Sequence, residues 1–297
     1  MTGIIIKALS GFYYVKTETQ IYTCKARGSF RKSGVSPLVG DRVIITVSDG
    51  LTGTVDEILP RETVLRRPPV ANIEKLFILS SFDNPSPNTL VIDKLTVLAR
   101  HAGIEPVIVF NKSDLGDFSQ YEQIYQNAGF KTFVISAVSG EGVENLKAEI
   151  KGSISAFTGN SGVGKSSLLN FLLGRDIIPT GNVSEKLGRG KHTTRHTEFY
   201  PLAFGGFVAD TPGFSSIETG DDYSLKENLV NCFKDFGSFA DNCRFSTCSH
   251  TKEKGCAVIE AVENGKIEKS RHESYIAIYE ELKDLKEWQI KGKPRNI

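Results

Sequence analysis

Gly159-Asn160-Ser161-Gly162-Val163-Gly164-Lys165-Ser166 follows the pattern of a glycine, four residues, then Gly-Lys-Ser. Ile154–Thr158 before it reads as a short buried strand, and Ser167–Leu173 after it as a helix. In such a turn the glycines let successive backbone N–H groups face an anion beside a helix N-terminus whose dipole also favours negative charge. Phosphate contacts are expected from residues Gly159 to Gly164 and from Ser167. Lys165 would reach the β- and γ-phosphates, and the Ser166 hydroxyl would ligate Mg²⁺.

The bulk properties bound what surrounds this loop. A chain of 297 residues suggests two or three domains. Its apolar fraction of 39% and charged fraction of 24% are ordinary for a globular protein. No apolar run approaches the ~20 residues of a membrane span. Met1–Lys7 has too short an apolar run for a secretory signal. A cytoplasmic, monomeric protein with no membrane partner is the expectation. The net charge is +1, but residues 1–70 hold ten Lys/Arg against six Asp/Glu, a weak pointer to a polyanionic partner there.

Residues 1–68 read as a small barrel of the OB type. Ile4–Ala8, Phe12–Lys16, Thr19–Ala26, Arg42–Val47 and Gly53–Ile58 are short β-rich segments separated by turn residues. The basic loop Gly28–Gly34 carries Phe30 beside Arg31 and Lys32. It suits either a nucleic-acid contact or a plain exposed loop. Arg66-Arg67-Pro68-Pro69 reads as a linker. Residues 69–220 alternate strand and helix: Lys75–Ser80, a helix capped by Asn88 and running through Arg100, Pro106–Phe110, Tyr121–Ala128, Thr132–Ile135, Val143–Lys151, the phosphate-loop pair, then Thr197–Phe204 and Gly206–Asp210. Repeated βα units predict a mostly parallel sheet with ligands at its C-terminal edge. Residues 221–297 form a third, mostly helical unit, with Tyr275, Ile278, Tyr279, Leu282 and Leu285 at helical spacing for packing.

Three further motifs fall at strand ends. Asn111-Lys112-Ser113-Asp114 follows Pro106–Phe110. A carboxylate at Asp114 accepts two hydrogen bonds from the guanine N1–H and N2–H₂. Adenine offers no such pair and would leave the acid unpaired. Asn111 would tie this turn to the phosphate loop, and the Lys112 stem would lie over the base. Ser136-Ala137 follows Ile135, where the Ala137 N–H would meet the guanine carbonyl. Asp210-Thr211-Pro212-Gly213 suits a water-mediated contact to Mg²⁺ from Asp210 and a γ-phosphate contact from Gly213.

Between these lies Lys186–His196, glycine-rich and basic. Thr194 is the first candidate for a second Mg²⁺ ligand that orders this loop on the triphosphate, and Thr193 the second. Phe214 stands where a water-orienting glutamine would follow the switch glycine, so intrinsic hydrolysis should be slow. His192 either positions the water or faces RNA. Lys165, His192, Thr194 and Gly213 are thus the catalytic candidates.

Cys243-x₄-Cys248-x-His250-x₅-Cys256 supplies three thiolates and one imidazole, the closed tetrahedral set of a structural zinc site, one per chain. Cys24 and Cys232 read as core residues.

The chemistry resembles that of translation-factor GTPases, but the order differs. The guanine motif comes before the phosphate loop, so the same sheet requires a circularly permuted chain. That order, the Gly188–Thr194 loop and the Cys/His cluster together resemble the RsgA (YjeQ/YloQ) family of bacterial GTPases dependent on the small ribosomal subunit. The resemblance spans the chain. It implies an N-terminal OB-like β-barrel (1–68), a circularly permuted P-loop GTPase domain (69–220) and a C-terminal zinc-binding helical domain (221–297). It also implies GTP hydrolysis to GDP, stimulation by the small subunit late in its assembly, and contact with rRNA through the barrel and zinc domain.

Overall fold

The computed structural model describes residues 1–28, 30, 34–66, 69–83, 85–176, 178, 197–210 and 224–285. Five strands open the chain: β1 (Thr2–Leu9), β2 (Phe12–Lys16), β3 (Ile21–Ala26), β4 (Arg42–Val47) and β5 (Thr52–Ile58). They pair in the order β1-β2-β3-β5-β4, and β4 returns to β1, closing an OB-type barrel in which β3 and β5 run parallel. The alternation of buried Ile4, Val15, Tyr22, Cys24, Val43, Ile45 and Val55 with exposed residues fills its interior. β3 starts two residues later than the sequence suggests, because the Thr17 hydroxyl bonds the Gln20 carbonyl and holds 17–20 as a turn.

Of the stretch expected to be a linker, Arg66 and Pro69 lie in paired strands, and Arg67 and Pro68 lie outside the described residues. β6 (Val64–Arg66) pairs antiparallel with β7 (Pro69–Ala71). Proline is accepted at the first residue of such a strand because no ladder hydrogen bond is asked of it. The hairpin is docked on the barrel. Ala71 N donates to Val39 O at 2.9 Å, and Asn72 Nδ2 to Gly40 O at 3.0 Å. Gly40 has φ +93°, and a Cβ there would sit 1.9 Å from Ala71 O, so only glycine permits the approach. The buried Asp41 carboxylate receives both Nε and Nη2 of Arg61, at 2.7 and 2.9 Å, and fixes the base of the same hairpin.

The second unit alternates β8 (Lys75–Ser81), α1 (Thr89–His101), β9 (Glu105–Asn111), α2 (Ser119–Asn127), β10 (Lys131–Ile135), α3 (Val143–Ile150), β11 (Ile154–Gly159), α4 (Lys165–Leu173), β12 (Glu198–Pro201) and β13 (Phe207–Asp210). The Asn88 side chain accepts from Val91 N at 3.2 Å, capping α1. The sheet order is β10-β9-β8-β11-β13-β12, parallel except for β12. Its central strands are apolar without alternation because helices cover both faces; every residue of β11 is buried. At the far edge β12 pairs with β1 at Glu198 and Lys7, whose side chains form a 2.9 Å ion pair, so barrel and α/β sheet are continuous.

The third unit contains α5 (Ser224–Cys232), α6 (Gly237–Ala240), α7 (Ala257–Glu263) and α8 (Lys269–Leu282). Gly265, with φ +67°, closes α7 just after its C-cap Asn264 and separates it from α8. Tyr275, Ile278 and Leu282 are buried, as their spacing requires. The unit packs on α1, whose Val97 belongs to the C-terminal core while Ile92, Leu95 and Ala99 face the core beneath the sheet.

Arg271 of α8 bolts the two together. Its fully buried guanidinium contacts Asp93 of α1 at 2.5 Å and Asp235 at 2.8 Å, over the face of Phe233. Burial works against the Arg271 charge, but the two carboxylates more than restore it and its pKa is raised. Removing one member leaves an uncompensated buried charge. Arg271→Ala should therefore cost about 3–5 kcal/mol, read as a lowered urea midpoint.

Candidate functional site

Three turns meet at the C-terminal edge of the parallel strands. β11 ends at Gly159, where an added Cβ would lie 2.5 Å from Leu79 O of the neighbouring strand. The chain then turns through Asn160–Gly164 into α4. Gly162 and Gly164 hold φ values of +87° and +89°, and Val163 is buried. Asn160, Ser161, Gly162 and Ser167 are exposed, and Lys165 and Ser166 are half-buried at the first turn of α4. A loop of left-handed glycines opening a helix directs backbone N–H groups at an anion.

β9 ends at Asn111, 2% exposed. Its Nδ2 donates to Val163 O in the phosphate loop at 2.9 Å, and its Oδ1 accepts from Ala137 N at 3.0 Å. One side chain thus holds all three turns. Gly164 leaves room for it, since a Cβ there would be 2.3 Å from Asn111 Nδ2. The sequence reading of Asn111 as the tie to the phosphate loop matches this contact. The N–H of Ala137, expected to point at the base, instead donates to Asn111. Lys112 adopts φ +66° and its Nζ donates to Asp83 O at 3.2 Å, while Asp114 lies exposed in the one-turn helix Ser113–Leu115. Ser136 Oγ donates to Asp114 Oδ1 at 2.6 Å, leaving Oδ2 for a ligand donor.

Asp210 ends β13 beside β11, paired in register with Phe157. That places its backbone on the same sheet edge as the phosphate loop. His192, Thr193, Thr194 and Gly213 lie outside the described residues.

The second cluster is metal-like. One donor atom from each of Cys243, Cys248, His250 and Cys256 lies within 4.8 Å of the others. Cys243 and Cys256 sulfurs are 3.8 Å apart, and His250 Nδ1 stands 3.4 and 3.5 Å from them. Zn–S bonds of ~2.3 Å and a Zn–N bond of ~2.0 Å at tetrahedral angles require roughly these separations. All five cysteines are free thiols. Burial pushes the Cys248 thiol up to about 12 and raises Cys256, while it lowers His250 and keeps the imidazole neutral. A cation is what would make thiolates stable here, so the donor set fits zinc.

Sequence reasoning missed the supports of this cluster. His272 Nε2 donates to His250 O at 2.7 Å, and Tyr275 Oη to Ser249 O at 3.0 Å. Burial disfavours the charge of Glu253, yet donors from Ser249 and from the backbone of Lys252 hold its carboxyl down to about 2. The only local sign was the Ser249-x-Thr251-x-Glu253 run within the cluster.

A phosphate loop, a guanine turn and a parallel sheet with this permuted strand order define a circularly permuted GTPase. The chain belongs to the RsgA GTPase family: the family model for the RsgA GTPase matches residues 58–220, and that for the RsgA N-terminal domain residues 2–55. A relative from Caldanaerobacter subterraneus subsp. tengcongensis, named small ribosomal subunit biogenesis GTPase RsgA, is 45% identical over 293 residues, 98% of both chains. One of the same name from Ruminiclostridium cellulolyticum is 45% identical, covering 98% of this chain and 96% of its own. YjeQ from Thermotoga maritima superposes with a TM-score of 0.82 at 36% identity, over 96% of this chain and 99% of that one. YloQ, described as a circularly permuted GTPase, gives 0.80 at 34% identity, with 96% of each chain covered. The chain is a GTP hydrolase.

Two outcomes follow from the geometry. Gly164→Ala forces a left-handed alanine into Asn111, and GTP affinity measured by titration calorimetry should fall roughly tenfold or more. The purified chain should contain about one zinc per molecule. Its removal by a strong chelator should abolish the cooperative melting of residues 224–285, because binding and folding energy are shared in such sites.

Proposed function

We propose that this GTPase hydrolyses GTP on the small ribosomal subunit during the late steps of its assembly, activated by that subunit, and leaves as the GDP form. The observation that carries the reading is the Asn111 junction of phosphate loop, guanine turn and Ser136-Ala137, in a chain that matches relatives named for small-subunit biogenesis along nearly all its length.

Residues Gly159–Ser167 cradle the phosphates, and Lys165 neutralises charge that builds on the β- and γ-phosphate oxygens as the bond between them breaks and water attacks the γ-phosphorus. Asp114 selects guanine, with Oδ1 pre-oriented by Ser136. Ser166, Thr193 or Thr194, and Asp210 would hold the Mg²⁺, which would supply charge neutralisation. Gly213 reports the γ-phosphate through its N–H. His192 positions the attacking water in the neutral form. The intrinsic rate is slow because Phe214 cannot orient water, and contact with the subunit completes the site. Units 1–68, 69–220 and 221–297 divide the labour: barrel and zinc unit touch rRNA and the middle unit carries chemistry. Zinc is structural. The protein acts in the cytoplasm as a monomer.

GTP hydrolysis measured with and without purified small subunits should rise strongly with them. Lys165→Ala should lose on the order of a hundredfold or more of that stimulated rate. Subunit binding without stimulation would instead favour an RNA scaffold for which GTP is a conformational ligand. Stimulation by tRNA alone would point to another RNA substrate.

A further inference from the structure

The zinc cluster carries an outward face that its metal chemistry does not use. Phe245, between the first two ligands, is 50% exposed. Its ring meets the Arg244 guanidinium at 5.4 Å, the geometry of a cation over an aromatic face. Arg244 N donates to Gly255 O at 3.0 Å, which brings the Phe245 turn against the Lys252–Gly255 turn across the knuckle. Arg244, Lys252 and Lys254 are all exposed. The one carboxylate of this stretch, Glu253, is turned back into the loop. It accepts from Ser249 N at 2.9 Å, Thr251 N at 3.0 Å and Lys252 N at 3.1 Å, as well as from the Ser249 hydroxyl. The knuckle thus presents Arg244 over one face of a half-exposed phenylalanine and two exposed lysines on the adjoining turn, with its single acid engaged internally. Ser246 and Thr247 are exposed beside the ring, so the surface is no continuous apolar patch of the sort a protein partner buries.

We propose that the Arg244-Phe245 turn is a stacking platform for one unpaired RNA nucleotide, with the base on the Phe245 ring and Lys252 and Lys254 on the flanking phosphates. Every base offers a π-face, so the contact selects single-stranded over paired RNA without reading sequence. This rests on the proposed role at ribosomal RNA and names the chemistry by which the zinc unit takes part in it.

The test uses the full, zinc-loaded chain and two fluorescent probes, a 12-nucleotide unstructured RNA and a duplex of the same length, followed by anisotropy across a salt series. Phe245→Leu, which keeps apolar bulk without a π-face, should weaken single-strand binding roughly tenfold and leave duplex binding unchanged. Phe245→Tyr should bind as the wild type. Lys252→Ala with Lys254→Ala should flatten the salt dependence by about 1.4 in the log–log slope, whereas Phe245→Leu should not. Unchanged single-strand affinity in Phe245→Leu, or equal loss on both probes, would overturn the proposal. So would tight binding of an acidic peptide at the turn with no RNA binding there. Small-subunit stimulation of hydrolysis is measured on the same proteins. If the wild type is stimulated and Phe245→Leu behaves like it on every probe, the platform fails and the general reading stands. If the wild type is not stimulated, the general reading fails and the RNA probes still decide the platform.

Discussion

Asn111 is the constraint around which the nucleotide site is assembled. It is buried, so both ends of its amide must be satisfied. Nδ2 is spent on the phosphate-loop carbonyl of Val163 and Oδ1 on the N–H of Ala137. Three turns that leave three different strands are thereby set in one arrangement before any ligand arrives. Gly164 is glycine for the same reason, because the amide occupies the space a side chain would need. Preorganisation of this kind removes ordering cost at the moment of binding, which is how a site of short turns can hold a triphosphate.

A second constraint acts on the molecule as a whole. Helix α1 lies between β8 and β9, the strand that ends in the guanine turn, and contributes to two cores at once. Arg271 fastens the zinc unit to that helix through Asp93. A free swing of the unit on hydrolysis would strip the guanidinium of its partner in an apolar setting, a large penalty compared with the few kcal/mol available to a conformational switch. A nucleotide-linked motion of the C-terminal unit should therefore keep its contact with α1. At the other end, the barrel joins the same sheet through β1 and β12, so the barrel and the nucleotide-binding unit share one continuous β scaffold.

Local chemistry was legible in the sequence and long-range chemistry was not. Gly159–Ser166, Asn111–Asp114 and the Cys/His spacing could be read because each pattern is complete within fourteen residues. The parallel sheet and the Asn88 cap follow from composition at the strand and helix ends. The pairing of Arg271 with Asp93 joins residues 178 apart, and that of Lys7 with Glu198 residues 191 apart; neither leaves a local pattern. The hydrogen bond from the Ala137 N–H to Asn111 Oδ1 joins residues 26 apart and likewise leaves no local pattern. Pro69 was read as linker because proline at a strand start looks like one until its partner strand is seen. Glu253 belongs to no recognised motif, yet hydrogen bonds hold it inside the knuckle.

Guanine selection is proposed to rest on the preoriented carboxylate of Asp114. The direct test is nucleotide affinity of Asp114→Asn for GTP and for XTP. An asparagine amide can donate to the C2 carbonyl of xanthine but repels the N2 amine of guanine. GTP affinity should drop by roughly a hundredfold or more while XTP affinity rises above it. Unchanged GTP affinity in this variant would contradict the account and place base recognition elsewhere.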